Sequence, residues 1–162
     1  WAVAGDVEAQ SPILGLGPDA DTLDAAMLAP ILAEHSMRLH GALRNQQIVA
    51  GIGRRLANEI CHAAKLSPFA NAARLSPDDV ARLVDGIRTV IATSLVAERE
   101  RDDMSSSKDR PSAVHHREGE PCPACGDVVR AVEYRSYTVN YCATCQTGGK
   151  ILADNTTSKF LK

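Results

Sequence analysis

Aromatic residues are scarce in this chain, 4% of 162 residues, with one Trp, three Tyr and two Phe. A core of this size must then be assembled from Leu, Ile, Val and Ala, which points to packed helices. Long apolar runs are missing too, and none approaches the length of a membrane span, so no membrane partner is expected. Residues 1–8 lack the basic start and apolar stretch of a signal peptide, and there is no initiator Met. The expectation is a chain that begins inside a longer protein or after processing, in the cytoplasm, with thiols kept reduced for metal. At 162 residues it can hold one ordinary domain, or a small domain plus a metal-stapled module.

An excess of positive charge is also absent. The net charge is −2, which taken whole does not suit a nucleic-acid partner. Its distribution along the chain does. Residues 1–36 carry six acids and no Lys or Arg, whereas residues 37–75 carry six basic residues against Glu59 alone. Residues 76–120 return to a net acidic balance, seven basic against ten acidic, and residues 121–162 have five basic against three acidic. Two basic blocks separated by acidic segments are therefore the candidate DNA-facing surfaces.

What the chain does have is a pair of C-x-x-C motifs. Cys122 and Cys125 form one, Cys142 and Cys145 the other, with a sixteen-residue insert between them. Each pair puts two thiolates on one tight knuckle, and two facing knuckles supply four soft ligands for one tetrahedral zinc. The insert contains Val128, Val129, Val132, Tyr134, Tyr137, Val139 and Tyr141, so the economical picture is a β-hairpin pinned at its open end. Two disulfides would need an oxidising compartment, and a redox C-x-x-C would adjoin a βαβ pattern; zinc is ranked ahead of both. With four cysteines filling the shell, the metal would be structural.

The remaining punctuation is helical. Residues 1–20, with Pro12, Gly15, Gly17 and Pro18, read as an irregular lead-in, the end of a missing N-terminal domain. Asp21 or Thr22 is expected to cap a helix carrying Leu23, Met27, Leu28, Ile31 and Leu32. Further helices are predicted over 37–45 and 54–65, and a long one from the Ser76-Pro77-Asp78-Asp79 start to about residue 98. Residues 99–113 read as a flexible linker, 114–149 as the finger and 150–162 as a basic tail.

Between the second and third helices lies Gly51-Ile52-Gly53. It is either a phosphate cradle, because helix N-termini offer free N–H groups, or a tight turn needing positive φ at glycine; both stay open. Arg54 and Arg55 would help hold a phosphate there. Cys61 is expected as a small buried hydrophobe, His40 and His62 on solvated helix surface, and Glu59 paired with a nearby Arg. No Ser/His/Asp or paired-carboxylate arrangement stands out.

The order of parts is more specific than any one of them. Leu39 to Gln46 runs into Val49-Ala50-Gly51-Ile52-Gly53, then Ala57-Asn58-Glu59-Ile60 and Ala64-Lys65-Leu66-Ser67-Pro68. Val114-His115-His116-Arg117-Glu118-Gly119-Glu120-Pro121-Cys122 follows, and the hairpin closes on Tyr141-Cys142-Ala143-Thr144-Cys145-Gln146. Over roughly residues 17–149 this resembles the C-terminal half of the formamidopyrimidine-DNA glycosylase/endonuclease VIII family. The resemblance implies a helix–two-turns–helix domain (21–98) followed by a zinc finger, in a base-excision-repair enzyme that flips oxidised bases out of duplex DNA. It also implies an N-terminal proline nucleophile and an adjacent glutamate, neither of which this sequence contains.

Three positions depart from the family pattern. Arg54 stands where an Asn follows the Gly-x-Gly, His40 where a Lys is common, and Tyr137 where the finger carries an Arg. Arg135, two residues away, would face the same side of a strand. The expectation is a mainly α, monomeric, nucleoid-associated protein with one structural zinc and DNA contacts at Gly51, Gly53, Arg54, Arg55, Arg135 and Tyr137. The rivals are a truncated non-catalytic DNA-binding relative and a zinc-ribbon interaction module.

Overall fold

The computed structural model describes residues 13–101 and 110–152. The greater part of the lead-in, residues 102–109 of the linker and residues 153–162 of the tail lie outside the described residues. Five helices and one hairpin follow in chain order: α1 (Ala25–Ala33), α2 (Leu39–Arg44), α3 (Arg54–Ala63), α4 (Pro77–Arg99), β1 (Val129–Glu133), β2 (Thr138–Cys142) and α5 (Ala143–Thr147), with short 3-10 turns between. The fold is thus mainly helical with a small two-stranded antiparallel sheet. No helix among the described residues is long and apolar enough to cross a membrane.

The helix starts follow local chemistry. Ser76 caps α4 by accepting from the Asp79 N–H while the Asp79 carboxylate accepts from the Ser76 N–H, with Pro77 at the first position. α1 begins later than predicted. Thr22 Oγ1 donates to the Asp19 carbonyl and closes a 3-10 turn, and Asp24 then caps α1 through Met27 N–H. α2 is shorter than its predicted span because Arg38 is extended and bridges to Asn71: Leu39 N–H donates to the Ala70 carbonyl, and Ala72 N–H to that of Met37. α3 stops at Ala63, since Lys65 adopts φ +54° and Leu66 N–H turns back to the Cys61 carbonyl.

One core unites α1 to α4. Leu23, Leu28, Leu32, Leu39, Leu43, Ile52, Ile60, Leu83 and Ile87 are fully buried within it. Cys61 is buried in the same cluster, as expected, and burial pushes its thiol up to about 12. Gly86 permits the close crossing of α3 and α4: a Cβ there would stand 3.2 Å from both the Ala64 Cβ and the Ile60 carbonyl oxygen. A second, small cluster of Val114, Cys122, Val129 and Cys142 underlies the finger. A third joins Val132, Tyr141 and Ala143 to Phe69, an edge-to-face contact with Tyr141 tying finger to helices.

Three expectations about side chains are corrected here. His40 and His62 are buried, 2% and 9% exposed, rather than on solvated surface. Glu59 is buried as well and pairs not with an arginine side chain but with backbone: it accepts from the N–H groups of Ala113, Val114 and His115 at 2.7, 3.0 and 2.8 Å. Of the predicted linker, residues 110–113 are therefore held against α3 and α4, where Arg110 pairs with Glu98 and Arg55 donates to the Pro111 carbonyl.

Candidate metal centre and nucleic-acid interface

The two knuckles face each other because the hairpin brings them together. Val129 pairs with Cys142 at the open end of the ladder, which sets Cys122 and Cys125 beside Cys142 and Cys145. Cys122 N–H donates to the Asp127 carbonyl and Gly126 N–H to the Cys122 carbonyl, folding the first knuckle. In the second, Cys142 N–H donates to Gln146 Oε1. The Asp127 carboxylate joins the two by accepting from Val128 N–H and from the Thr144 N–H and hydroxyl.

All four Sγ atoms lie within 4.8 Å of one another. Cys122–Cys145 and Cys125–Cys142 are separated by 3.9 and 3.4 Å, close to the roughly 3.8 Å edge of a tetrahedron with metal–sulfur bonds of about 2.3 Å. None of the cysteines is in a disulfide. Burial pushes the Cys142 thiol up to about 11. Cys122 moves the other way: burial opposes its ionisation, but hydrogen bonds from the Ala124 amide, the His62 ring and the Cys125 amide prevail. Four thiolates crowded this closely would repel one another, and a divalent cation would supply the missing charge. The residues fit a soft, four-coordinate metal with no open position for water.

The Gly51–Gly53 turn is built by a residue the sequence did not flag. Gln46 Oε1 accepts from Gly51 N–H at 2.9 Å while its Nε2 donates to the Ile52 carbonyl at 2.8 Å. Gly51 takes φ +89°, a left-handed conformation that explains glycine there. Gly53 is the N-cap of α3 and provides no side-chain cap for the first-turn N–H groups. The tight-turn reading of the motif is thus met at Gly51.

Across from this helix start stands the hairpin tip. Arg54, Arg55, His115, His116, Glu133, Tyr134, Arg135, Ser136, Tyr137 and Thr138 line one cleft of about 570 Å³. Arg54 is exposed at its edge, whereas Arg55 is half-buried and also donates to Ser94 Oγ. Residues 134–137 form the turn between β1 and β2, closed by Tyr134 N–H to the Tyr137 carbonyl. Arg135 is thus at an exposed tip, and the same-face step along a strand does not apply to it. His115 Nδ1 and Asn58 Nδ2 are within hydrogen-bonding distance at 2.9 Å. Burial, His116 and the two arginines hold its pKa down to about 4, so it is neutral at pH 7.

Tyr137 is already engaged. Its ring stacks on Tyr134 at 4.7 Å and lies near-parallel to His40 at 5.9 Å, and the Arg44 guanidinium sits 4.0 Å from its centroid. Arg38 lies over Phe69 and Tyr134 and donates to the Tyr134 hydroxyl. The structure therefore divides the basic block of residues 37–75: Arg38 and Arg44 clamp the finger, Arg54 is exposed at the cleft, and Arg55 lines it while its guanidinium donates to Ser94 and the Pro111 carbonyl. Burial holds His40 near pKa 4, assisted by Arg44.

Glu59, His62 and Gln46 are the site residues that sequence reading missed. A signal existed for the first two. Asn58, Glu59 and His62 recur on one side of a ten-residue helix whose other side is apolar, the pattern of a helix packed on both faces.

Comparison with known proteins agrees with this architecture. The model of the formamidopyrimidine-DNA glycosylase H2TH domain matches residues 14–106. An uncharacterized formamidopyrimidine-DNA glycosylase-like protein of Mycobacterium tuberculosis is 39% identical over 149 residues, 91% of this chain and 94% of that protein. The formamidopyrimidine-DNA glycosylase of Mesorhizobium japonicum is 34% identical over 160 residues, covering 88% of this chain but 54% of the enzyme. The chain thus spans about half the length of the glycosylases it matches. Among solved structures, the MutM (Fpg) protein of Thermus thermophilus superposes with a TM-score of 0.77 at 29% identity, over 90% of this chain and 59% of that one. Lactococcus lactis Fpg, in its complex with DNA containing an abasic site, shares the fold with a TM-score of 0.71 at 20% identity, over 82% of this chain and 52% of that one. By the H2TH match and these relatives, the chain belongs to the formamidopyrimidine-DNA glycosylase family.

Proposed function

We propose that this chain is a monomeric DNA-binding unit that grips duplex DNA between the α3 start and the tip of a zinc-loaded finger. The observation that carries this reading is the cleft itself. Arg54 and Arg55, beside the start of α3 that Gly53 leaves without a side-chain cap, share one cleft with Arg135, neutral His115 and His116. Helix N–H groups and guanidinium groups are the donors that phosphate oxygens accept from, and they position a backbone without reading sequence. Glu133 lowers the positive potential on the finger side, so binding is expected to be weak. Tyr137 contributes by holding the tip in place rather than by meeting DNA directly.

The four cysteines hold one structural zinc in this reading. Base-excision chemistry on oxidised bases, with AP lyase strand cleavage, belongs in this family's pattern to an N-terminal proline. None of the residues lining the cleft is a secondary amine. In this reading the chain serves as the DNA-binding half of a glycosylase; the alternative is a non-catalytic relative.

Two experiments test the proposal. Binding to a duplex across a salt series should show a steep loss of affinity with salt, and Arg54→Ala and Arg135→Ala should each flatten the log–log slope by about one unit. If neither changes affinity or slope at unchanged zinc content and helicity, the basic groups are solvated surface and an interaction module becomes the better reading. Borohydride trapping on abasic and oxidised-base duplexes should give no covalent adduct above a heat-killed control. A robust adduct would reveal a surrogate amine in this chain.

A further inference from the structure

α3 turns two faces to the molecule. Ala57, Ile60 and Cys61 enter the helical core, while Asn58, Glu59 and His62, all buried, are used on the finger side. Asn58 holds His115, and Glu59 holds the amides of residues 113–115. His62 reaches furthest into the finger: its Nε2 lies 3.2 Å from Cys122 Sγ. Just past the helix end, the Leu66 carbonyl accepts from Gln146 Nε2 at 3.0 Å, and the same Gln146 carries the Cys142 N–H on its other end.

We propose that His62 is a positioning residue for the metal, donating an Nε2–H···S hydrogen bond to the Cys122 thiolate. This rests on the metal reading of the four cysteines. A metal-bound thiolate has lone pairs but no proton, so the hydrogen in a 3.2 Å contact must come from the ring. Four thiolates around a divalent ion leave an excess of negative charge on sulfur, and N–H donors that share it favour the loaded state. Cys122 is 2% exposed and His62 9%, so water cannot take over the donor's place, and the bond is made where the local dielectric is low. The bond also fixes the direction of the Cys122 side chain toward its three partners. Outer-shell partners of this kind orient ligands, and their loss costs about 10–100-fold in metal affinity. Because His62 and the Gly53 cap lie on one ten-residue helix, the finger's metal and the phosphate-facing turn share a single rigid support.

The test uses the full chain as wild type, His62→Phe and His62→Gln. Zinc transfer to an excess of chelator should be about 10-fold faster from His62→Phe, which keeps the ring's bulk but has no donor. His62→Gln, whose amide nitrogen can reach the place of Nε2, should stay within about threefold of wild type. With cobalt in place of zinc, the sulfur-to-metal charge-transfer band should shift in the Phe variant and not in the Gln variant. One readout needs no variant: in the cadmium-113-loaded wild type, histidine nitrogen spectra should show the Nε2–H tautomer of His62 with coupling to the metal. An Nδ1–H tautomer, unchanged zinc release from His62→Phe, or equal acceleration in both variants would overturn the proposal. Wild-type protein that carries no zinc would overturn the metal reading first, before His62 is tested at all.

Discussion

Replacing Cys145 by serine should empty the metal site and unfold the hairpin, leaving fewer than about a tenth of chains loaded, against nearly one zinc per chain in the wild type. A structural zinc contributes roughly 10–16 kcal/mol to the folding of its module, more than most whole domains have in hand. Nothing else in the finger can replace it. Its sheet is two strands of five residues, and its clusters hold only a few apolar side chains. The helical core lies apart and should keep most of the circular dichroism signal. Its finger-facing side will not be untouched, because Glu59, His62 and the Leu66 carbonyl lose their partners. Elemental analysis with hydrogen exchange checks both halves of this result: exchange should rise throughout residues 114–147 and, to a lesser degree, in the second half of α3. A variant that retains one zinc per chain would mean that the four cysteines are not the ligand set.

Glu59→Ala is the second substitution with a large expected effect. The carboxylate accepts from three consecutive backbone N–H groups in a site where it is 8% exposed. Truncation leaves those donors without partners, and at about 1–3 kcal/mol for each group left buried the loss is on the order of 3–5 kcal/mol, discounted for the half-exposed flanks. A fall in Tm of roughly 10 °C follows for a chain of this size. Glu59→Gln should cost about half as much. Its oxygen can still serve Val114 and His115, but its amide turns a donor toward the Ala113 N–H. Thermal unfolding at matched zinc content measures this. If Glu59→Ala melted within 2 °C of the wild type, the three bonds would be incidental to stability and the 113–115 segment would be held by Val114 packing alone.

How much of this was legible beforehand follows from the range of each interaction. The four cysteines, the knuckle spacing and the strand-forming insert identified the finger, because a chelate site and its hairpin are local in sequence. The Ser76-Pro77-Asp78-Asp79 start and the apolar stripe of α4 were equally readable, since caps and helical periodicity act within a few residues. Gly51 announced its turn for the same reason: only glycine readily takes φ +89°. The fates of His40, Glu59 and His62 were not readable, since each is decided by a partner more than fifty residues away. His40 is covered by Tyr137, Glu59 is filled by the amides of residues 113–115, and His62 meets Cys122. A polar side chain on a helix looks solvated until something is packed against it. Charge told the same partial story. Composition marked residues 37–75 as basic, but only the folded chain could divide them, sending Arg38 and Arg44 to the tyrosines of the finger and Arg54 to the cleft. The sequence determined the parts, their order and the four cysteines that cluster. The tertiary structure decided which face of α3 meets the finger, because that face exists only once two segments distant in the chain have packed together.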